Sequence, residues 1–229
     1  MKILAYDTSQ NVLSVAVTDG KRVLAEFQSE AFAKHSDALV PLIEKTLRKA
    51  HVRPGALDYL ALDIGPGSFT GIRVGAATAK MLALVWKKKI VAVSSLEGLA
   101  FSAGQAADGR VAVLMDARKG KVYVALYQIR DGKMKVVNKP SLTTTENFLK
   151  QLGSPVLFTG NDPAFLGKIL PSGMKNVHVD RFAPPGGLSA STIARAALDK
   201  IVRKEFVSPE QLEPLYLHPR DCNVTKKKK

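Results

Sequence analysis

The chain opens on short apolar runs of strand character. Lys2–Asp7 (KILAYD) reads as a buried strand, Val12–Thr18 as a second and Arg22–Gln28 as a third, with Asp19-Gly20 as a hairpin turn. The period then changes. Leu39, Leu42, Ile43, Leu47 and Ala50 recur at helical spacing with Glu44, Lys45, Arg48 and Lys49 opposite, which predicts a helix over Ser36–Ala50, with Pro41 as a bend near its start. Pro54-Gly55 ends it, and Tyr59–Ile64 returns as a strand into the glycine loop IGPGSFTG. That loop opens a helix, running to Trp86, that is apolar on almost every side; Ile90–Val93 follows as another strand. A helix apolar all round has to be buried all round. Its own sheet covers one side, and the rest falls to the Ser36–Ala50 helix or to another subunit.

The second half repeats this plan. Leu4–Val17 lies over Val113–Leu126 without a gap, so that Asp116 falls on Asp7. Lys133–Asn138 supplies a third strand, Glu146–Leu152 a helix, Val156–Thr159 a strand, Pro163–Leu170 a helix, Val177–Val179 a short strand and Ser189–Lys204 a helix. The gapless repeat predicts an internally duplicated α/β fold of two lobes, residues 1–104 and 105–229. The joint falls in the small-residue run Ser102–Gly109, and a basic, disordered tail begins at about residue 222.

Composition sets the surroundings. With 46% hydrophobic and 24% charged residues the chain is that of an ordinary globular protein, and no run reaches the 18 or more apolar residues of a membrane span. The single cysteine, Cys222, forms no internal disulfide, so a reducing cytoplasm is the simplest setting. The net charge of +14 admits a polyanionic partner such as RNA. Part of that charge is Lys226–Lys229, read as a solvated tail, and part is Lys87-Lys88-Lys89, read as cations favoured at a helix C-terminus.

The glycine loop is the first candidate for chemistry. Gly65, Gly67 and Gly71 permit close backbone approach, and Ser68 caps the helix start, which is the form of an anion cradle and equally of a tight corner. No Gly-Lys-Ser/Thr follows, and the spacing is not that of a dinucleotide fingerprint. Asp7, Thr8, Ser9, Gly67 and Ser68 are the candidate nucleotide or anion contacts. The Asp7-Thr8-Ser9 hairpin lacks glycines, however, and is read first as a turn. Duplicated folds that hold ATP between lobes place acidic residues where Asp7 and Asp116 stand. An ATP-dependent kinase or ATPase is therefore the rival function. Asp116 can equally pair with Arg118 or Lys119. The histidines His35, His51, His178 and His218 lie far apart in sequence, no Gly-x-Ser-x-Gly elbow is present, and neither a catalytic residue nor a cofactor is assigned.

The run Gly65-Pro-Gly-Ser-Phe-Thr-Gly-Ile-Arg-Val-Gly-Ala-Ala-Thr-Ala-Lys closely resembles the TsaB family. So do Asp7-Thr-Ser, His35-Ser, Ser94-Ser-Leu-Glu-Gly-Leu-Ala and Met115-Asp-Ala-Arg, and the likeness covers nearly the whole chain. It implies an actin-like (ASKHA, ribonuclease H-like) fold. It also implies a noncatalytic scaffold that binds the catalytic paralogue TsaD, with the ATPase TsaE, in forming N6-threonylcarbamoyladenosine at adenosine 37 of tRNAs reading ANN codons. In TsaD the counterpart of Ser94–Ala100 resembles Asn-His-Leu-Glu-Gly-His-Ala, so Ser95 and Leu99 stand where two metal-binding histidines would be, and no metal is expected. Gly71, Gly75 and Ala79 lie four apart and would let another backbone come close. The partner-docking residues are accordingly read as Leu39, Ile43, Gly71, Val74, Gly75, Thr78 and Leu82. The same surface is expected to form a homodimer when the protein is alone, and tRNA is met through the complex.

Overall fold

The protein is described by a computed structural model covering residues 1–29, 35–104, 108–152, 156–171 and 188–218. The first half builds β1 (Lys2–Asp7), β2 (Leu13–Asp19), β3 (Arg22–Ser29), α1 (His35–Lys49), β4 (Tyr59–Asp63), α2 (Phe69–Trp86), β5 (Lys89–Val93) and α3 (Ser95–Gly104). The second builds β6 (Gly109–Asp116), β7 (Val122–Arg130), β8 (Lys133–Thr143), α4 (Thr145–Lys150), β9 (Leu157–Thr159), α5 (Pro163–Ile169) and α6 (Ala190–Val202). The expected strand at Val177–Val179 and the tail from residue 222 lie outside the described residues.

Each half forms a mixed sheet on one plan, β3-β2-β1-β4-β5 in the first and β8-β7-β6-β9 in the second. β1 runs antiparallel to β2 and parallel to β4, as β6 does to β7 and β9. The side-chain alternation of these central strands sorts residues between layers. Leu4, Tyr6, Leu60 and Leu62 face outward onto α1 and α2, whereas Ile3, Ala5 and Ala61 face inward. In the second sheet Ala112 and Leu114 face α4 and α5, while Val111, Val113 and Met115 face inward. Between the inner faces lie α3 and α6. The order is helices, sheet, helix pair, sheet, helices.

The helix pair is exchanged between the halves. α6, from the second half, packs over β1, β2, β4 and β5, and α3, from the first, packs mainly on β6. The segment after α6 also returns to the first sheet. Phe206 stacks on Tyr59, Val207 bridges to Ile90, Leu212 is buried in the outer core of that sheet and the Leu215 N–H donates to the Ile64 carbonyl. Residue 104 ends α3, and the packing of α3, α6 and the segment after α6 joins the two sheets. Shared burial of Ala5, Ala16 and Ala61 with Ala190, Ala194 and Ala197 brings helix and sheet close, because alanine holds neither backbone away.

Glu26 on β3 fixes the start of α6. Its carboxylate accepts from the Ser191 N–H at 3.0 Å and from the Ser191 hydroxyl at 2.8 Å, an anion at the positive end of a helix. The Ser14 hydroxyl accepts from the Ala190 N–H. The helix α3 has no counterpart in the predicted elements, although its signal is present: Ser94 and Glu97 form a capping box, with the Ser94 hydroxyl accepting from the Glu97 N–H at 3.1 Å. β8 extends past Asn138 to Thr143. Among the described residues it pairs only with β7, through register shifts, and on such an edge Pro140 removes no needed donor.

The lysine run after α2 is structural. Lys87 ends the helix with φ 54°, Lys88 donates to the Gly55 carbonyl and the Lys89 ammonium lies 4.6 Å from the Phe206 ring centre. A side chain in the left-handed region is strained, so Lys87→Gly is expected to stabilise the fold by about 1 kcal/mol in urea titration. Glu26→Ala is expected to destabilise it by about 2 kcal/mol in the same measurement, because it strips a charged acceptor from the α6 start.

Candidate functional site

The β1–β2 loop and the start of α2 interlock where the glycine motif was read as a cradle. A Cβ added at Gly67 would collide with the Ser9 carbonyl, one at Gly71 with the Thr8 carbonyl and one at Gly75 with the Thr8 hydroxyl. The glycines let the helix rest directly on the loop. The contact is hydrogen-bonded throughout: Thr8 Oγ1 donates to the Gly71 carbonyl at 2.8 Å, Tyr6 Oη to the Gly75 carbonyl at 2.9 Å, and Ser68 N–H to the Ser9 carbonyl at 2.7 Å. Ser68 caps α2 by accepting from the Gly71 N–H. Of the residues expected as anion contacts, Asp7, Thr8, Ser9, Gly67 and Ser68 all take part in this interlock. Asp7, Thr8 and Ser9 are buried, the Ser68 N–H is engaged by protein oxygen, and the charges within are negative.

Those charges are Asp7, at the end of β1, and Asp63, at the end of β4, both on the inner side of the sheet. Asp63 accepts from the Gly65 N–H at 2.7 Å, from Ser9 Oγ at 2.9 Å and from Ser95 Oγ at 2.8 Å. Asp7 accepts the Ser9 N–H on Oδ1, the Ser9 and Asp63 side chains lie beside it, and its buried Oδ2 has no well-formed hydrogen bond among the described residues. Burial pushes Asp63 up to about 6 against the lowering effect of its donors. Burial raises Asp7 well above the carboxylate range, and the neighbouring Asp63 charge adds to the rise. From Ser9 the network crosses to the second sheet: Gln10 Nε2 donates to Ser9 Oγ at 3.0 Å, and Asn161 Nδ2, just past β9, donates to Gln10 Oε1 at 2.8 Å. Sequence reasoning did not single out Asp63 or Gln10. The available signal was a lone acid closing an apolar strand ahead of a glycine loop.

Ser95 is buried in the carboxylate network and Leu99 in the central core. Among the described residues no three His, Cys, Asp or Glu side chains are placed to hold a metal ion. The counterpart of Asp7 differs in kind. Asp116 is exposed, and its carboxylate accepts from the Arg118 backbone N–H at 2.7 Å. His51 is exposed and His218 packs edge-on against Tyr123; His178 lies outside the described residues.

The expected docking residues divide between two faces. Gly71, Gly75 and Ala79 look inward, and Leu39, Ile43 and Leu82 are buried in the outer core of the first sheet. Val74 and Thr78 are half-buried at the margin. The inward glycines Gly71 and Gly75 seat the helix on the Thr8 loop. On the opposite side of α2 the positions two residues out of phase, Phe69, Arg73, Ala77, Met81 and Val85 with Leu84, form an exposed stripe. Met81 is 50% exposed, Leu84 62% and Val85 70%, so α1 does not cover this face. At its start Arg73 lies 3.7 Å over the Phe69 ring and donates from Nε to the Tyr216 hydroxyl at 2.8 Å. Tyr216, Leu84 and Val85 complete the set that the sequence did not reveal, since a helix apolar all round hides which side its own chain uses.

Two duplicated lobes about a shared helix pair, with acids closing the central strands, define a protein of the actin-like (ASKHA) class. The family profile described as TsaD, tRNA N6-adenosine threonylcarbamoyltransferase, matches residues 27–212. A Bacillus subtilis (strain 168) protein named tRNA threonylcarbamoyladenosine biosynthesis protein TsaB is 38% identical over 71% of this chain and 72% of its own length. A protein of the same name from Escherichia coli (strain K12) is 36% identical over 56% of this chain and 55% of its own, so that alignment spans about half of each. The solved structure of YeaZ from Pseudomonas aeruginosa matches with TM-score 0.78 and 28% identity over 94% of this chain and 99% of that one. The chain belongs to the TsaB (YeaZ) family.

Gly71→Ala is expected to destabilise the protein by about 3 kcal/mol or more in urea titration, because a rigid carbonyl occupies the space. Ser95→Ala is expected to lower stability by about 2 kcal/mol at neutral pH, since a buried carboxylate loses a donor.

Proposed function

We propose that this protein acts in tRNA threonylcarbamoyladenosine biosynthesis as a noncatalytic subunit, and that the outward stripe of α2 docks the catalytic paralogue TsaD. The observation that carries the reading is the combination of a rigidly seated helix with an uncovered apolar face. An exposed stripe from Phe69 to Val85, apolar except for Arg73 and running over about four helical turns, marks an interaction surface rather than a solvent face. Seating α2 on the β1–β2 loop fixes that face in advance, so little conformational freedom is lost on docking. Phe69, Arg73 and Tyr216, an aromatic and arginine group of the kind that anchors interfaces, stand at one end of it. TsaE and tRNA join through TsaD, and in the absence of TsaD two copies of the chain pair through the same face. The location is cytoplasmic; among the described residues no helix is long and apolar enough to cross a membrane. The rival, an ATP-dependent kinase or ATPase, loses its support with the closed β1–β2 loop and the carboxylate pair behind it.

Docking through this face is tested with Met81→Asp and Leu84→Asp, which alter exposed positions only. Each is expected to keep the thermal midpoint of the parent and to weaken co-purification with TsaD by at least about tenfold, roughly 1.4 kcal/mol. Reconstituted tRNA modification is expected to fall in parallel. Unchanged binding by the double variant would overturn the assignment of the face.

A further inference from the structure

We propose that Asp7 is held in the folded protein as a neutral carboxylic acid whose proton bridges to Asp63, and that this shared proton is a pH-sensitive clamp on the β1–β2 loop and its bond to the second sheet. Donor and acceptor counting carries the inference. Asp63 already receives the Gly65 N–H and the Ser9 hydroxyl, and shares the Ser95 hydroxyl with the Pro66 carbonyl, the pattern of an ionised acceptor. Asp7 receives the Ser9 N–H on Oδ1, while its Oδ2 is sealed from water without a well-formed donor, and the Ser9 and Asp63 side chains are the groups beside the carboxyl. A bare carboxylate oxygen in that position would be an unpaired buried charge beside another. The same oxygen carrying a proton is a donor, and Asp63 is its acceptor. Two carboxyl groups that share one proton are the physical solution to two acids that cannot both ionise in a dry space.

Among the described residues no cation acts on the pair. The β1–β2 loop contributes Thr8, Ser9 and Gln10, and the loop before α2 contributes only Gly65, Pro66 and Gly67 at the contact. From α3 come Ser95, and Glu97, which turns away to the Lys200 ammonium at 3.2 Å. The second sheet brings Thr159 and Asn161. Asp162 beside them caps α5, and Asp116 is exposed, its carboxylate engaged by the Arg118 backbone. Glu26, on the outer strand β3, is tied to the start of α6. Arg73 lies on the outward face of α2 with Phe69 and Tyr216. Removing the proton therefore leaves two adjacent buried negative charges. The β1–β2 loop then loosens, and with it the chain from Ser9 through Gln10 to Asn161 that ties the first sheet to the second.

The direction of the pH effect follows from linkage. Burial raises both acids, so between the ordinary carboxylate range and the folded-state titration the native protein holds a proton that the unfolded chain has released. The stabilisation is complete in acid and is lost as pH rises. Wild type and Asp7→Asn, in which the amide keeps a donor towards Asp63 but cannot ionise, are to be compared by urea titration between pH 5 and 9. The expected result is that the unfolding equilibrium constant of wild type rises relative to that of Asp7→Asn with a limiting slope of about tenfold per pH unit. Amide exchange at Ser9 and Gln10 is expected to show a pH-dependent opening in wild type that Asp7→Asn lacks. Parallel profiles would overturn the proposal. Should Asp7→Asn not fold, infrared spectra decide on native protein. A carboxylic-acid C=O band at neutral pH that persists in Glu97→Gln supports the shared proton, and its absence overturns it.

Discussion

A helix can rest on a loop only when nothing projects between them. The rest of this structure depends on that contact between α2 and the Thr8–Ser9 backbone. Glycines at 67, 71 and 75 clear the space, and the Thr8 and Tyr6 hydroxyls bind the helix carbonyls left facing the loop. Because the loop ends β1 and the helix follows β4, one contact fixes the angle between the central strands and the outer layer. The same geometry closes the β1–β2 loop over the start of α2 and fixes which side of that helix faces outward.

The central layer has a comparable economy. α3 and α6 each lie against the sheet of the other half, so neither half carries its own complete core. Alanine-rich faces allow the close approach, and Glu26 and Ser14 hold the start of α6 by hydrogen bonds that reach it from the first sheet. The duplication recorded in the sequence became a single packed object, in which only β1 and β6, and the elements beside them, still show the original symmetry.

Strand and helix placement in the first half was legible because alternation and helical spacing are local signals, as in β1, β2 and α1. The repeat register also held, with β7 starting 109 residues after β2, at Val122 against Leu13. The missed helix α3 hid behind its composition: Ser102, Ala103 and Gly104 look like a linker, yet the capping box at Ser94–Glu97 had already begun a helix. The site was less legible than the fold. Gly71 and Gly75 announced a close approach without saying to what, and only the tertiary structure places Thr8 there. Asp63 carries no local pattern that distinguishes a buried acid from an exposed strand end. Nor can a helix as apolar as α2 reveal from sequence which of its sides is left to solvent.

The return of the chain after α6 bears on how the protein is made. The inner face of the first sheet is covered by α6, and its outer core is completed by Leu212, both supplied by the last fifth of the sequence. During synthesis the first half therefore emerges with Ala5, Ala16 and Ala61 uncovered, and it waits for most of the chain before it can close. Contacts this distant in sequence slow folding and lengthen the exposure of apolar surface on the ribosome. A chain cut short before Leu212 would consequently be a target for chaperones and proteases rather than a working half.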